Sequence, residues 1–137
     1  MEKKVSEKMG IKPGSRAMII NATDDERKAI GLPVLDEISA MRGNFDYIHL
    51  FIKTQNDLHE KFALLKKHLA PTGMLWISWP KGRKQGTDLS LTEVIRIGYD
   101  YGLVESKSLS VNDTWSALKF THPKKGKVYN NSYGKLK

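Results

Sequence analysis

The spacing of apolar residues along the chain predicts its elements. Ala17-Met18-Ile19-Ile20 is a short apolar run of buried-strand type, entered through the turn Lys12-Pro13-Gly14 and ended by Asn21. Thr23-Asp24-Asp25-Glu26 has the spacing of a capping box, in which a hydroxyl and a carboxylate three residues on satisfy each other's backbone donors. Gly31 with Pro33 supplies a stop, so one short helix fits between them, and its cap accounts for the Asp24-Asp25 acidic pair. Asp36 to Met41 is read as a second short helix or a turn. Phe45-Asp46-Tyr47-Ile48-His49-Leu50-Phe51-Ile52 predicts a second apolar strand, central in its sheet.

From Gln55 to Leu69, the residues Leu58, Phe62, Leu65 and Leu69 recur at helical steps and share one face of a helix, which Ala70-Pro71-Thr72-Gly73 closes. Met74-Leu75-Trp76-Ile77-Ser78-Trp79 is a third strand, apolar enough to be covered on both faces as parallel strands are, and Pro80 terminates it. Ser90-Leu91-Thr92-Glu93 repeats the capping-box spacing ahead of Val94, Ile97 and Tyr101 in helical register, with Gly102 at the stop. Ser106 to Val111 and Trp115 to Thr121 form a hairpin around Asn112-Asp113-Thr114.

This order predicts an α/β fold, a three-layer Rossmann-like sandwich with a mostly parallel sheet, right-handed crossovers and a C-terminal antiparallel hairpin. Ligands of such sheets bind outside the carboxyl ends of the strands, near the point where strand order reverses. Here those ends carry Asn21 to Asp24, Lys53 to Asn56 and Pro80 to Asp88.

Length and charge refine this picture. The 137 residues suit one domain, placed at residues 1–122. Cysteine is absent, which excludes disulfides and thiolate chemistry. The amino-terminal segment is charged, without the apolar centre of a signal peptide, and the longest apolar run, Met74 to Pro80, is far shorter than the ~20 residues that span a bilayer. A cytoplasmic protein with no membrane partner is expected.

The net charge of +8 is unevenly spread: Lys124, Lys125, Lys127, Lys135 and Lys137 lie in residues 123–137 with no acidic residue, which leaves +3 for the body. A tail of Pro, Gly, Asn and Lys is expected to be disordered. It suits either weak attraction to a polyanion such as nucleic acid or a purely solubilising end.

Several blocks then become recognisable. Gly10-Ile11-Lys12-Pro13-Gly14, Phe45-Asp46-Tyr47, Gly73 through Lys81, Thr87-Asp88-Leu89 and Asp113 through Lys119 resemble a bacterial family catalogued as a domain of unknown function, number three thousand and fifty-two. That resemblance implies the fold and a bacterial origin, and brings no activity, substrate or cofactor. More distantly, Lys12-Pro13-Gly14 before an apolar strand, Phe45-Asp46-Tyr47-Ile48 opening a second and Leu69-Ala70-Pro71-Thr72-Gly73 before a third look like the class I methyltransferases that use S-adenosylmethionine. Those enzymes follow the first strand with a glycine-rich turn, where this chain has Asn21-Ala22-Thr23-Asp24, and they place an acidic ribose ligand at the end of the next strand. Only about two dozen residues separate the first two clear strands here, so the cofactor-binding half is expected to be truncated.

Candidate ligand-binding residues follow from the strand ends. Lys81, Arg83, Lys84 and Asp88 lie between a strand and a helix start, where backbone N–H groups and the helix dipole favour a phosphate or carboxylate, although Asp88 also suits a helix cap. Asp113 and Trp115 could set a carboxylate and an indole beside a ligand, or simply make a turn and fill the core edge. Asn21, Asp24 and Lys53 complete the set. Trp76 and Trp79 point to opposite faces of one strand and are read as core.

His49, His59, His68 and His122 lie in different elements without metal-ligand spacing, so no metal is expected. No Gly-x-Ser-x-Gly or Gly-x-x-x-x-Gly-Lys motif occurs, and no catalytic residue is assigned.

The leading reading is a noncatalytic protein on a degenerate methyltransferase-like fold, with no cofactor, that binds a small anionic ligand or another protein. The alternative is a divergent methyltransferase holding S-adenosylmethionine across the first two strands through Asn21, Asp24 and Asp46 or backbone groups. A third is a nucleic-acid accessory protein working through its tail. An exposed edge strand would make a homodimer easy.

Overall fold

In the computed structural model, residues 3–131 and 133–136 are described. Six strands form one sheet in the order β2-β1-β3-β4-β6-β5. These are β1 (Arg16–Ile20), β2 (Asp36–Glu37), β3 (Phe45–Phe51), β4 (Leu69–Pro80), β5 (Val104–Ser110) and β6 (Trp115–Thr121). The first four run parallel, and the hairpin β5–β6 is antiparallel, with β6 inserted between β4 and β5. The chain leaves β1 for β2 on one side and then returns past β1 to lay down β3 on the other. The reversal of strand order therefore falls between β1 and β3.

Helices α1 (Val5–Met9) and α2 (Asp24–Ile30) cover one face, and α3 (Gln55–Lys67) and α4 (Leu91–Asp100) cover the other. Under α3 and α4 lie Ile48, Leu50, Ile77, Trp79 and Phe120, with Phe62 reaching down from α3; under α1 and α2 lie Tyr47, Phe51, Trp76 and Trp115. Trp76 and Trp79 thus face opposite ways, and both are buried. Helix α4 approaches β6 so closely at Gly98 that an added Cβ would sit 2.0 Å from the Phe120 ring.

The cap expected at Thr23 forms. The Glu26 carboxylate accepts the Thr23 backbone N–H at 3.3 Å and also the Thr23 hydroxyl, and Gly31 ends α2 in the left-handed region at φ 69.

Three segments depart from expectation. Asp36-Glu37 is a strand, not a helix or turn, because the N–H groups of Asp36 and Ile38 are taken by the Ser15 and Ala17 carbonyls, each at 2.9 Å, along the open edge of β1. Residues 70–73 do not close α3 but belong to β4. There β3 advances from Phe45 to Tyr47 while β4 advances from Leu69 to Met74, so the surplus residues bulge. Helix α1 lies in a segment for which no element was expected; the Ser6 hydroxyl donates to the Gly31 carbonyl at 2.8 Å and ties it to the end of α2.

Beyond Thr121 the described residues form no helix or strand. Tyr129 packs against the α3/α4-side core, and the Asn131 carboxamide donates to Glu105 at 2.6 Å. Among the described residues no helix is long and apolar enough to cross a membrane, and no group of three or more His, Asp or Glu side chains could hold a metal ion.

Candidate binding cleft

At the reversal point, over the carboxyl ends of β1 and β3, lies an open cleft of about 510 Å³. Asn21 turns the chain sharply off β1 at φ 65, a left-handed conformation that Asn tolerates better than most residues, and its carboxamide donates to the Phe51 carbonyl at 3.3 Å. One side chain thereby ties together the ends of both strands. Thr23 and Glu26 form the α2 wall. Glu26 is 8 % exposed, and its carboxylate is already engaged by its own helix cap.

The floor is aromatic. Phe51 meets Trp115, at the start of β6, edge to face with centroids 5.1 Å apart, and behind it Phe51 stacks on His49 at 4.4 Å. His49 is fully buried, with Nδ1 2.6 Å from the Tyr47 hydroxyl and Nε2 2.7 Å from the Ser78 hydroxyl. Burial lowers the His49 pKa to about 3, and burial likewise raises that of Tyr47. The imidazole is therefore neutral at pH 7, one ring nitrogen donating and the other accepting.

The far wall is the start of α3 with the loop after β4. The Thr54 hydroxyl accepts the Asp57 N–H at 3.2 Å as a helix cap, and Asp57 and Lys53 line the cleft. The loop is sewn to this helix start: the Thr87 hydroxyl donates to the Lys53 carbonyl at 2.6 Å, and the Asp88 carboxylate accepts the Gln55 N–H at 2.8 Å. That stitching brings Gln85 over the cleft.

Of the residues singled out from the sequence, Asn21, Lys53 and Trp115 meet here. The others lie elsewhere. Asp24 is exposed in the first turn of α2. Lys81 donates to the Ser110 hydroxyl near the hairpin, and Arg83 pairs with Glu93 at 3.0 Å. Lys84 is exposed and outside the cleft, and Asp88 is spent on α3. Asp113 is exposed at the hairpin tip, where the Asn112 carboxamide, not Asp113, accepts the Thr114 and Trp115 N–H groups at 2.9 and 2.8 Å. Lys81 and Arg83 line a separate pocket of about 240 Å³ with Trp79 and Ser90, and Lys84 is not among its lining residues.

The second capping box is also rearranged. The Ser90 and Thr92 hydroxyls both donate to Glu93, which with Arg83 holds its pKa down to about 2.

Thr23 and Gln85 fell within the strand-end segments marked as ligand edges but were not singled out, and Glu26, Phe51, Ile52 and Asp57 were not anticipated as lining residues. Thr23 and Glu26 were legible as a cap, and Asp57 lay just past a strand end already marked as a ligand edge. Only their spatial convergence was missing.

The far side of β1 bears on the fold comparison. Strand β2 ends at Glu37, opposite Ala17, well short of Ile20, and the Glu37 carboxylate is held by the Arg27 guanidinium at 2.8 and 3.2 Å.

No family model matches the chain, and the likeness to the family of unknown function is not shown. No curated protein matches it either. Solved structures do. Magnesium protoporphyrin IX methyltransferase from Synechocystis PCC 6803, solved with bound SAH, matches with a TM-score of 0.56 and 12 % identity over 85 % of this chain and 78 % of that one. A putative methyltransferase from Thermoplasma acidophilum gives a TM-score of 0.58 and 9 % identity over 88 % of this chain and 73 % of that one. The N-methyltransferase NodS from Bradyrhizobium japonicum WM9 gives 0.57 and 12 % over 88 % and 91 %. At these identities the likeness establishes the fold: the chain has the Rossmann-like architecture of the class I methyltransferases.

Proposed function

We propose that the chain is a noncatalytic binding protein on a truncated methyltransferase-like fold, and that it takes a small polar ligand in the cleft above β1 and β3. The shortness of β2 carries this reading. In enzymes of this fold the acid at the end of the second strand holds the cofactor ribose. Here the acid available, Glu37, stands opposite Ala17, roughly 10 Å back from the carboxyl edge of β1 at ~3.3 Å per residue, and is engaged by Arg27. The turn after β1 also lacks the glycine that would admit a close backbone approach. The residues present do not fit the adenosine half of S-adenosylmethionine.

The cleft lining supports a zwitterionic or ammonium-bearing ligand over the anion expected from the sequence. It offers the free Asp57 carboxylate against one ammonium, Lys53, with the cap-bound Glu26 carboxylate beneath, the carboxamides of Asn21 and Gln85 and the indole of Trp115. The motif blocks support placing the chain beside the bacterial family of unknown function.

Calorimetric titration with S-adenosylhomocysteine, with ATP and inorganic phosphate alongside, tests the reading. No heat is expected from the first, and micromolar binding would restore the divergent methyltransferase. A thermal-shift panel of amino acids and amines is expected to yield a stabilising compound whose effect disappears in Asp57→Asn or Lys53→Ala.

A further inference from the structure

At the opposite end of the sheet, the starts of β1, β3 and β4 and the last residues of β6 enclose a second groove, of about 480 Å³. Gly73 lets the bulged start of β4 run against β3 there: an added Cβ would lie 2.7 Å from the Phe45 carbonyl oxygen. One wall is the turn Lys12-Pro13-Gly14-Ser15. It is fixed by the Ser15 hydroxyl on the Lys12 carbonyl at 2.8 Å and by the Gly14 N–H on the Val34 carbonyl at 2.8 Å. The other wall is β6, where Lys119 sits opposite Trp76 and therefore points to the α1/α2 side.

Two ammonium groups from remote segments, Lys12 and Lys119, thus line one groove together with the hydroxyls of Thr72 and Thr121. Neither lysine takes part in the ion pairs among the described residues, Arg27–Glu37 and Arg83–Glu93. The one carboxylate in the groove, Asp46, accepts the Arg16 N–H at 3.0 Å through one oxygen and keeps its other oxygen as an acceptor. On the neighbouring strand, Lys107 donates to the Lys8 carbonyl and adds further positive charge beside Lys119. Donors and positive charge outweigh acceptors, the balance that suits a tetrahedral oxyanion. The groove is larger than a bare phosphate needs, and Asp46 offers an acceptor for a hydroxyl on the rest of the molecule.

We infer that this groove binds a phosphorylated small molecule, with Lys12 and Lys119 as the cationic contacts of its phosphate. The inference is independent of the ligand in the cleft over β1 and β3, because the two sites share no residue.

The test is an amide chemical-shift titration of the full chain with inorganic phosphate and with glycerol phosphate, against chloride at equal ionic strength. Saturable shifts are expected at Lys12, Gly14, Thr72 and Gly73, with none at Asn21 or Lys53. Glycerol phosphate is expected to bind more tightly than phosphate. The double variant Lys12→Ala/Lys119→Ala, whose spectrum reports whether it folds, should weaken binding at least tenfold, and Lys84→Ala should leave it unchanged. Shifts that rise linearly without saturating, that spread over the tail lysines, or that survive in the double variant would overturn the assignment.

Discussion

The two faces of the sheet are built to different standards. Under α3 and α4, two helices of 13 and 10 residues cover an apolar layer in which Phe62 meets Phe120 edge to face at 5.5 Å. Under α1 and α2, helices of 5 and 7 residues cover a layer through which a polar line, Tyr47, His49 and Ser78, runs between the aromatics. The well-covered face can sustain the fold by apolar burial, at about 1.5–3 kcal/mol per large side chain. The thinly covered face has room at both ends of its strands, and the cleft and the groove border it there.

Breaking the comparison most severely means striking the apolar face. Phe62→Ala should cost about 3–5 kcal/mol, since the ring is fully buried between Phe120 and Tyr101 and no neighbour can collapse into the space without moving α4. Chemical denaturation at neutral pH measures it. A loss under 1 kcal/mol would mean that this face is not the sustaining one.

The polar line on the other face gives the next largest effect, through pH. His49 titrates near 6.5 in the unfolded chain and near 3 when folded, so between those values the unfolded state binds the extra proton. Stability is therefore fully present above pH 6.5 and is lost as pH falls, by about 2 kcal/mol at pH 5. His49→Gln should start less stable but show a flatter slope between pH 6.5 and 5. That window lies above the range in which Glu93, held down to about 2, contributes its own acid sensitivity. An unchanged slope in the variant would sink the assignment to His49.

Sequence reasoning succeeded where periodicity was long. Helices α3 and α4 and strands β1, β3 and β4 each offered several apolar positions in phase. It failed where a remote partner decided the outcome. Two residues carry no period, so β2 was visible only once the free edge of β1 offered the Ser15 and Ala17 carbonyls. The excess residues in β4 became a bulge because Leu69 pairs with Phe45 before the main ladder begins.

The cleft shows the same division. Its location at the carboxyl ends of the strands followed from topology, and Asn21, Lys53 and Trp115 were named. Lys81 and Arg83 fall outside this cleft because they reach toward Ser110 and Glu93, contacts that are distant in sequence or were read only as cap residues.

A smaller effect separates the two helix starts that were read as the same capping box. At α2, Glu26 accepts the Thr23 backbone N–H, so Thr23→Ala removes the hydroxyl of a working cap and should cost about 1 kcal/mol. At α4, Glu93 is instead held by the Ser90 and Thr92 hydroxyls, and its pairing with Arg83 is the most exposed of its contacts, the Arg83 side chain being 60 % accessible. Arg83→Ala should therefore cost less, about 0.5 kcal/mol or under, and that loss should shrink further with added salt. Melting curves of both variants at low and high salt make the distinction. A salt-insensitive loss at Arg83 as large as the one at Thr23 would overturn the reading of this contact as an exposed, screened ion pair.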